Sequence, residues 1–427
     1  MNLPLRLLKS LLRPQVLVLS LAGCWLAWAQ TASVRIVIIG DSTVCNYPAS
    51  KAPWAGWGQV IGHWFKPGSV TILNNAVGGR SSRSFVTKGQ WATTSAALKA
   101  GDFLFIQFGH NDRDLSDTSR YTDTVTYKQY LTMYATEARA KGVHPVFVTP
   151  MNMNTWTDTT KPTVREVFTE KANNYRIAMI HVGENLRVPV LDLEKKSKLL
   201  MDTLGAGYMT KWHFMGLDTG EYPNYPTGNA DGTHFQEMGS LENARMVTEE
   251  IVRLAADSVL KPLAALVTRK QLVTVKSNLA GAGVLTRNRI FPYGAPVTLK
   301  VKPAAGKTFR YWANAKGDSL TKEKRYTFTM DSLPHTFTAI FAGGTTKTSV
   351  VNKVPANIKA VGNRLRLSSP HALRKVTAWN LSGQRILDQR LQGHDALVDL
   401  GTHTGEELLV SLQTDGGAAS QVIRSLR

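Results

Sequence analysis

Five short apolar runs, at 34–39, 70–75, 103–108, 145–149 and 188–193, recur through the first part of the chain with longer mixed segments between them. They are rich in β-branched residues and bounded by Gly, Asn or Pro, the pattern of strands covered on both faces. Helical segments are expected near 56–65, 127–141, 164–186 and 240–254. Strands alternating with helices mean a parallel sheet in an α/β sandwich. Such a sheet collects the carboxyl ends of its strands at one edge, where ligands sit in open α/β folds.

Three segments just past the first three runs carry residues suited to chemistry. They are Gly40-Asp41-Ser42-Thr43, Gly78-Gly79-Arg80-Ser81 and Gly109-His110-Asn111-Asp112. Far downstream, Asp231-Gly232-Thr233-His234 supplies an acid and a base three residues apart. Serine is a poor nucleophile until a base takes its proton; His234 can do so, and Asp231 can hold the imidazole tautomer and stabilise the imidazolium. The N–H of Ser42, an N–H of the glycine turn and the Asn111 amide would form an oxyanion hole, and losing one such donor typically costs about 3 kcal/mol. Glycine is expected in the second segment because a close backbone approach leaves no room for a side chain.

Each segment alone has an ordinary reading, as a turn or a helix cap. Their joint occurrence in order on a parallel α/β pattern favours catalysis. Asp112 can fix its loop by hydrogen bonding, and His110 can be structural or line the cleft; neither is assigned to catalysis. Arg80 and Arg83 are candidates to meet an anionic sugar, with solvated or structural roles as the alternative. Trp54, Trp57, Trp91, Trp156 and Trp212 can stack on sugars or simply pack. His213 and Asp218 form no metal set with a further pair at ligand spacing, so no metal and no cofactor are expected.

The four blocks resemble, in their usual order, those of the SGNH (GDSL) hydrolase superfamily. Gly40-Asp41-Ser42-Thr43-Val44, Ala55-Gly56-Trp57-Gly58 and the run from Asn75 to Ser84 are similar to its rhamnogalacturonan acetylesterase branch, carbohydrate esterase family twelve. The resemblance covers 33–256. It implies a flavodoxin-like three-layer α/β/α sandwich with a five-stranded parallel sheet. By position it makes Ser42 the nucleophile, Asp231 and His234 the rest of the triad, and Ser42, Gly79 and Asn111 the oxyanion hole. The implied activity is metal-independent deacetylation of plant cell-wall polysaccharide, foremost rhamnogalacturonan of pectin. The alternatives are a xylan, other carbohydrate or lipid esterase of the same superfamily, or a non-catalytic polysaccharide-binding adhesin.

At 427 residues the chain is too long for one core, and its remainder changes character. Between 271 and 341, short runs at 272–276, 297–301, 307–312, 325–330 and 336–341 alternate apolar with polar residues, as in a small all-β module. Ala295-Pro296-Val297-Thr298-Leu299, Tyr311-Trp312 and the closing strands resemble a divergent InlB B-repeat. After a linker at 343–356, residues 357–427 again read as short strands. Val376 to Arg385 and the last strands resemble a type IX secretion sorting module, although Gly405-Glu406-Glu407 departs from that family's usual strand start. The expected division is therefore 1–29 leader, 30–266 catalytic, 267–342 first β module, 343–356 linker and 357–427 second β module.

Arg6, Lys9 and Arg13, an apolar stretch at 16–26 and Ala27-Trp28-Ala29 read as a secretory signal cleaved after Ala29. Lipoprotein processing at Cys24 is the alternative. Cleavage leaves Cys45 alone, so no disulfide can form within the mature chain. Net charge is +20, placed unevenly: 30–266 holds 24 basic and 22 acidic residues, 267–427 holds 24 and 9. The basic tail suggests contact with anionic pectin or a cell surface. No Lys/Arg block with interleaved aromatics points to nucleic acid, and the chain is expected to work as a monomer.

Overall fold

The computed structural model describes residues 33–157, 163–170, 174–256, 259–268, 270–342, 354–380, 385–401, 403 and 407–424. The leader with Cys24 and the cleavage site, most of the 343–356 linker and Gly405-Glu406 lie outside them. The five apolar runs form strands β1 (Val34–Gly40), β2 (Val70–Asn74), β3 (Phe103–Gln107), β4 (His144–Val148) and β5 (Val190–Leu191), all parallel, in the order β2-β1-β3-β4-β5. Register pairs Ile36 with both Ile72 and Phe103.

Strand periodicity sends successive side chains to opposite faces, and both are buried. Ile36, Ile38, Phe105, Val146 and Val148 pack with Trp57, Trp64 and Val247. Val37, Ile39, Leu104, Ile106 and Phe147 pack with Tyr127, Leu131, Tyr134 and Tyr175. Helices therefore cover both faces, which is the three-layer α/β/α sandwich expected. Each such side chain, fully buried, contributes about 1.5–3 kcal/mol of hydrophobic stabilisation.

The helices are α1 (Ser82–Thr87), α2 (Gln90–Ala97), α3 (Thr124–Ala140), α4 (Tyr175–Leu186), α5 (Leu193–Leu204) and α6 (Glu237–Arg253), besides single turns such as Trp57–Val60. The expected helix at 164–186 is helical only in its second half. Val164 instead bridges to Trp156, and Asn174 caps α4 by accepting the Ile177 N–H. The fifth run stops at Leu191 because Asp192 accepts the Lys195 N–H and starts α5. Helices α1, α2 and α5 were not expected. The first is built by a reciprocal cap between Ser81 and Ser84 rather than by an apolar period.

Asp231–Gln236 is a strand, sandwiched antiparallel between Trp54–Ala55 and Phe214–Met215 in a small sheet of its own. Residues 270–341 make two further sheets, one of Gly283–Leu285, Pro296–Pro303 and Arg325–Thr329, the other five-stranded around Lys270–Ser277 and His335–Phe341. The buried core of one face of the large sheet continues into this region through Val297, Leu299, Trp312 and Ala339. Residues 357–424 form two more sheets around a separate core of Leu365, Leu367, Val376, Val410 and Leu412.

Candidate active site

Strand β1 ends where the chain must turn tightly. A Cβ on Gly40 would lie 2.7 Å from the Gln107 carbonyl and 2.8 Å from Val44 Cγ2. The turn is closed by Asp41, whose Oδ1 accepts from Thr43 N (2.9 Å) and Thr43 Oγ1 (2.7 Å). Its Oδ2 faces His110 Nδ1 at 3.2 Å, and His110 Nε2 lies 3.1 Å from the Met151 carbonyl. Burial pushes the Asp41 carboxyl up, but His110 and the Thr43 hydrogen bonds outweigh it and hold the group below its ordinary value. These contacts tie the ends of β1, β3 and β4 together beneath Ser42.

Ser42 Oγ is 2.8 Å from His234 Nε2, and His234 Nδ1 is 2.7 Å from Asp231 Oδ2. Asp231 Oδ1 accepts from the backbone of Thr233 (2.7 Å) and His234 (3.0 Å), which fixes the carboxylate to its own turn. Burial raises the Asp231 carboxyl and the hydrogen bond from His234 lowers it, with a net fall below the usual carboxylate value. With Nδ1–H given to an ionised carboxylate, Nε2 is left as the acceptor for the serine hydroxyl. The Trp54 ring lies 4.5 Å from the His234 ring and stacks at 5.0 Å on Tyr47, whose hydroxyl donates to the Ser42 carbonyl (2.8 Å). Trp54 is held there by strand pairing with Gln236.

The glycine turn lies against the serine: a Cβ on Gly78 would sit 3.7 Å from Ser42 Cβ. At Gly79 the expected reason for glycine is corrected. A Cβ there would meet nothing within 4 Å, and what demands glycine is a φ of +75°. Among the described residues, neither the Ser42 nor the Gly79 N–H donates to a protein acceptor. Asn111 Nδ2 donates to the Arg80 carbonyl (2.9 Å), which leaves its second hydrogen available. Its Oδ1 accepts from Arg120 (3.2 Å), and Arg120 is in turn paired with Asp114 and Asp117. This chain of contacts sets which way the Asn111 amide faces.

Asp112 is fully buried and accepts from Ser82 N (3.0 Å), Ser82 Oγ and Gly109 N (2.9 Å), linking the start of α1 to the turn after β3. Burial pushes its pKa up to about 7. A carboxyl that rises on folding from its ordinary value of 3.8 costs stability as pH climbs from about 4 to about 7, and the loss is complete above that. Asp112→Asn should therefore flatten this part of the stability curve in thermal melts across pH. It should also lower the whole curve, because its amide N–H would face the Gly109 N–H.

Arg80 donates to Gln90 (3.2 Å), and the exposed Arg83 reaches the carbonyls of Thr118 (3.4 Å) and Tyr121 (3.5 Å). Neither has a carboxylate partner among the described residues. The same holds for Arg113, which follows the Asn111-Asp112 pair and whose guanidinium reaches Met153 Sδ (3.6 Å). Of the tryptophans, Trp57, Trp91 and Trp212 are buried packing residues. Half-buried Trp156 bonds Asn154 (2.9 Å), whose N–H bonds the Gly232 carbonyl (2.7 Å), so it lies beside the His234 turn with Trp54. Cys45 is buried with its thiol pushed up by burial. His213 is buried and held down to about 3 by burial and the nearby Arg289 and Arg245. Asp218 is paired with Lys211 and Lys302. No group of three or more His, Cys, Asp or Glu among the described residues could hold a metal ion.

The structure thus brings Ser42, Gly79, Asn111, Asp231 and His234 to one rim, with Trp54 against the imidazole. Tyr47, Arg113 and Arg120 carry no motif and were missed by sequence reasoning. Arg120 had a signal only in its spacing from Asp114 and Asp117. Residues 38–239 match the GDSL-like lipase/acylhydrolase family, and 273–345 match the divergent InlB B-repeat domain. The chain is 39% identical over 221 residues to the rhamnogalacturonan acetylesterase RhgT of Bacillus subtilis, an alignment covering 52% of this chain and 90% of that protein. It is 32% identical over 231 residues to the probable rhamnogalacturonan acetylesterase YesY of the same organism, covering 53% and 98%. A crystal structure of Axe2, an acetylxylan esterase of Geobacillus stearothermophilus, superposes with a TM-score of 0.37 at 17% identity, covering 51% of this chain and 95% of that one.

Proposed function

This chain belongs to the GDSL-like lipase/acylhydrolase family, and from that premise we propose that it is a secreted serine esterase removing acetyl groups from rhamnogalacturonan of pectin. The observation that carries the reading is the unbroken line from Ser42 Oγ through His234 to Asp231, at 2.8 and 2.7 Å, beside backbone N–H groups with no acceptor among the described residues. Ser42 Oγ attacks the acetyl carbonyl while His234 Nε2 takes its proton, and Asp231 stabilises the imidazolium. The oxyanion rests on the N–H groups of Ser42 and Gly79 and the free amide hydrogen of Asn111. His234 then protonates the departing sugar oxygen. Water, activated by the same histidine, attacks the acetyl-enzyme and releases acetate and Ser42.

Sugar chemistry is supported by the half-buried Trp54 and Trp156 beside the His234 turn, since apolar sugar faces stack on indole rings. Arg80 and Arg83 are the substrate-binding candidates for the uronate carboxylates of a pectic chain, and their lack of a carboxylate partner among the described residues supports this. The names of the two Bacillus subtilis relatives point to the same substrate. Export uses the leader cleaved after Ala29, and residues 357–427 serve as a sorting module. Exposed cations of the first β module, such as Arg310, Lys316 and Lys322, offer contact with anionic polysaccharide.

The scheme uses no metal, so acetate release from acetylated rhamnogalacturonan should be unchanged by EDTA and should exceed release from acetylated xylan at equal acetyl concentration. A higher kcat/KM on xylan would overturn the substrate, and a loss of activity with chelator would overturn the mechanism.

A further inference from the structure

The first β module does not hang free of the α/β body. Lys300, on the Pro296–Pro303 strand, reaches across to it with a side chain only 12% exposed. Its Nζ donates to the Lys211 carbonyl (2.8 Å) and to Gln236 Oε1 (3.0 Å), pairs with Glu221, and lies over the rings of Trp212 (5.4 Å) and Tyr222 (5.8 Å). Its own backbone is fixed within the module by exchange with Thr286. Around it, Lys302 pairs with Asp218 (2.8 Å) and the Arg325 guanidinium covers Tyr222 at 3.9 Å.

The partner that matters is Gln236. It is the last residue of the strand that carries Asp231 and His234, it is 2% exposed, and it pairs with Trp54, the residue stacked on the His234 ring. Its Nε2 donates to the carbonyls of Phe214 (2.6 Å) and Lys211 (3.0 Å), which fastens that strand to the segment beside it. A primary amide has two orientations, and a cation facing Oε1 selects the one with Nε2 toward those carbonyls. Without the ammonium, Oε1 and the Glu221 carboxylate would be left in a largely buried site without their cation.

We infer that Lys300 is a positioning residue for ester hydrolysis, through which the β module sets the strand that presents His234 to Ser42. The module is then part of the catalytic framework, beyond any binding role. The inference rests on the serine mechanism proposed above. The test uses the full chain as Lys300→Met/Glu221→Gln, which removes both charges and so avoids a lone buried carboxylate. Lys302→Ala is the control, since it breaks a pair at the same interface without touching Gln236.

Three readouts are taken: kcat and KM on 4-nitrophenyl acetate, the rate at which a 4-nitrophenyl phosphate triester labels Ser42, and hydrogen exchange over 231–236. In the labelling step the Ser42 Oγ–P bond forms, 4-nitrophenolate leaves, and the serine proton passes to His234. In the double variant kcat and labelling should fall by about 10- to 100-fold, the scale of a small misplacement of reacting groups, with KM little changed. Exchange over 231–236 should speed up, while Lys302→Ala matches the wild type in all three. Unchanged exchange and labelling in the double variant, or an equal loss in Lys302→Ala, would overturn the inference. A wild-type chain labelled no faster than Ser42→Ala would instead bring down the serine mechanism, with the exchange result still deciding whether Lys300 holds the strand.

Discussion

Ser42→Ala should lower acetate release by about a millionfold and leave the fold intact. That is the loss seen when a nucleophile acting as one unit with its base is removed, while binding and oxyanion donors remain. The folded state should barely notice, because among the described residues the one partner of Ser42 Oγ is His234, and the backbone contact from Tyr47 stays in place. Initial rates on acetylated rhamnogalacturonan, paired with a thermal melt, check both halves. A folded variant that keeps even about a hundredth of the activity would remove Ser42 from the mechanism.

Asp231→Asn should cost about 10,000-fold in kcat with little change in KM. The substitution can keep Oδ1 as acceptor for the Thr233 and His234 N–H groups, so the turn holds. What changes is the atom facing Nδ1. An amide N–H there makes Nδ1 the acceptor and moves the imidazole proton to Nε2, where it points at Ser42 and cannot receive the serine proton. Rates on 4-nitrophenyl acetate and on polysaccharide should fall together, since the defect lies in proton transfer. A loss confined to the polysaccharide would show that Asp231 serves substrate binding instead.

The large sheet was legible because strands covered on both faces are nearly all apolar, and 34–39 and 103–108 each carry a single polar residue, Arg35 and Gln107, within short β-branched or aromatic runs. Ser42, Gly79 and Asn111 were legible because they come shortly after the first three of those strands, whereas Asp231 and His234 were found through their spacing as an acid and a base three residues apart. Harder to read were elements made by polar contacts. Helix α1 exists through the Ser81–Ser84 cap, and α5 begins where Asp192 turns from strand residue to cap. The Asp231–Gln236 strand gains its partners Trp54–Ala55 and Phe214–Met215 from remote segments, so no local pattern announces it. The glycine at 79 was recognised, but its reason lay in a backbone angle that composition does not reveal. The basic character of the tail was plain, whereas the turning of Lys300, Lys302 and Arg325 onto the α/β body required knowledge of where Glu221, Asp218 and Tyr222 would be.

The hydroxyl and the imidazole that meet at 2.8 Å are separated by 192 positions of chain. One belongs to the first strand of the large sheet, the other to a small sheet closed only when segments near 54, 214 and 235 have found each other. Pairings this remote carry a loop-closure cost that slows folding. A polypeptide still being made therefore has no Ser42–His234 contact until residue 234 has been added and its small sheet has closed.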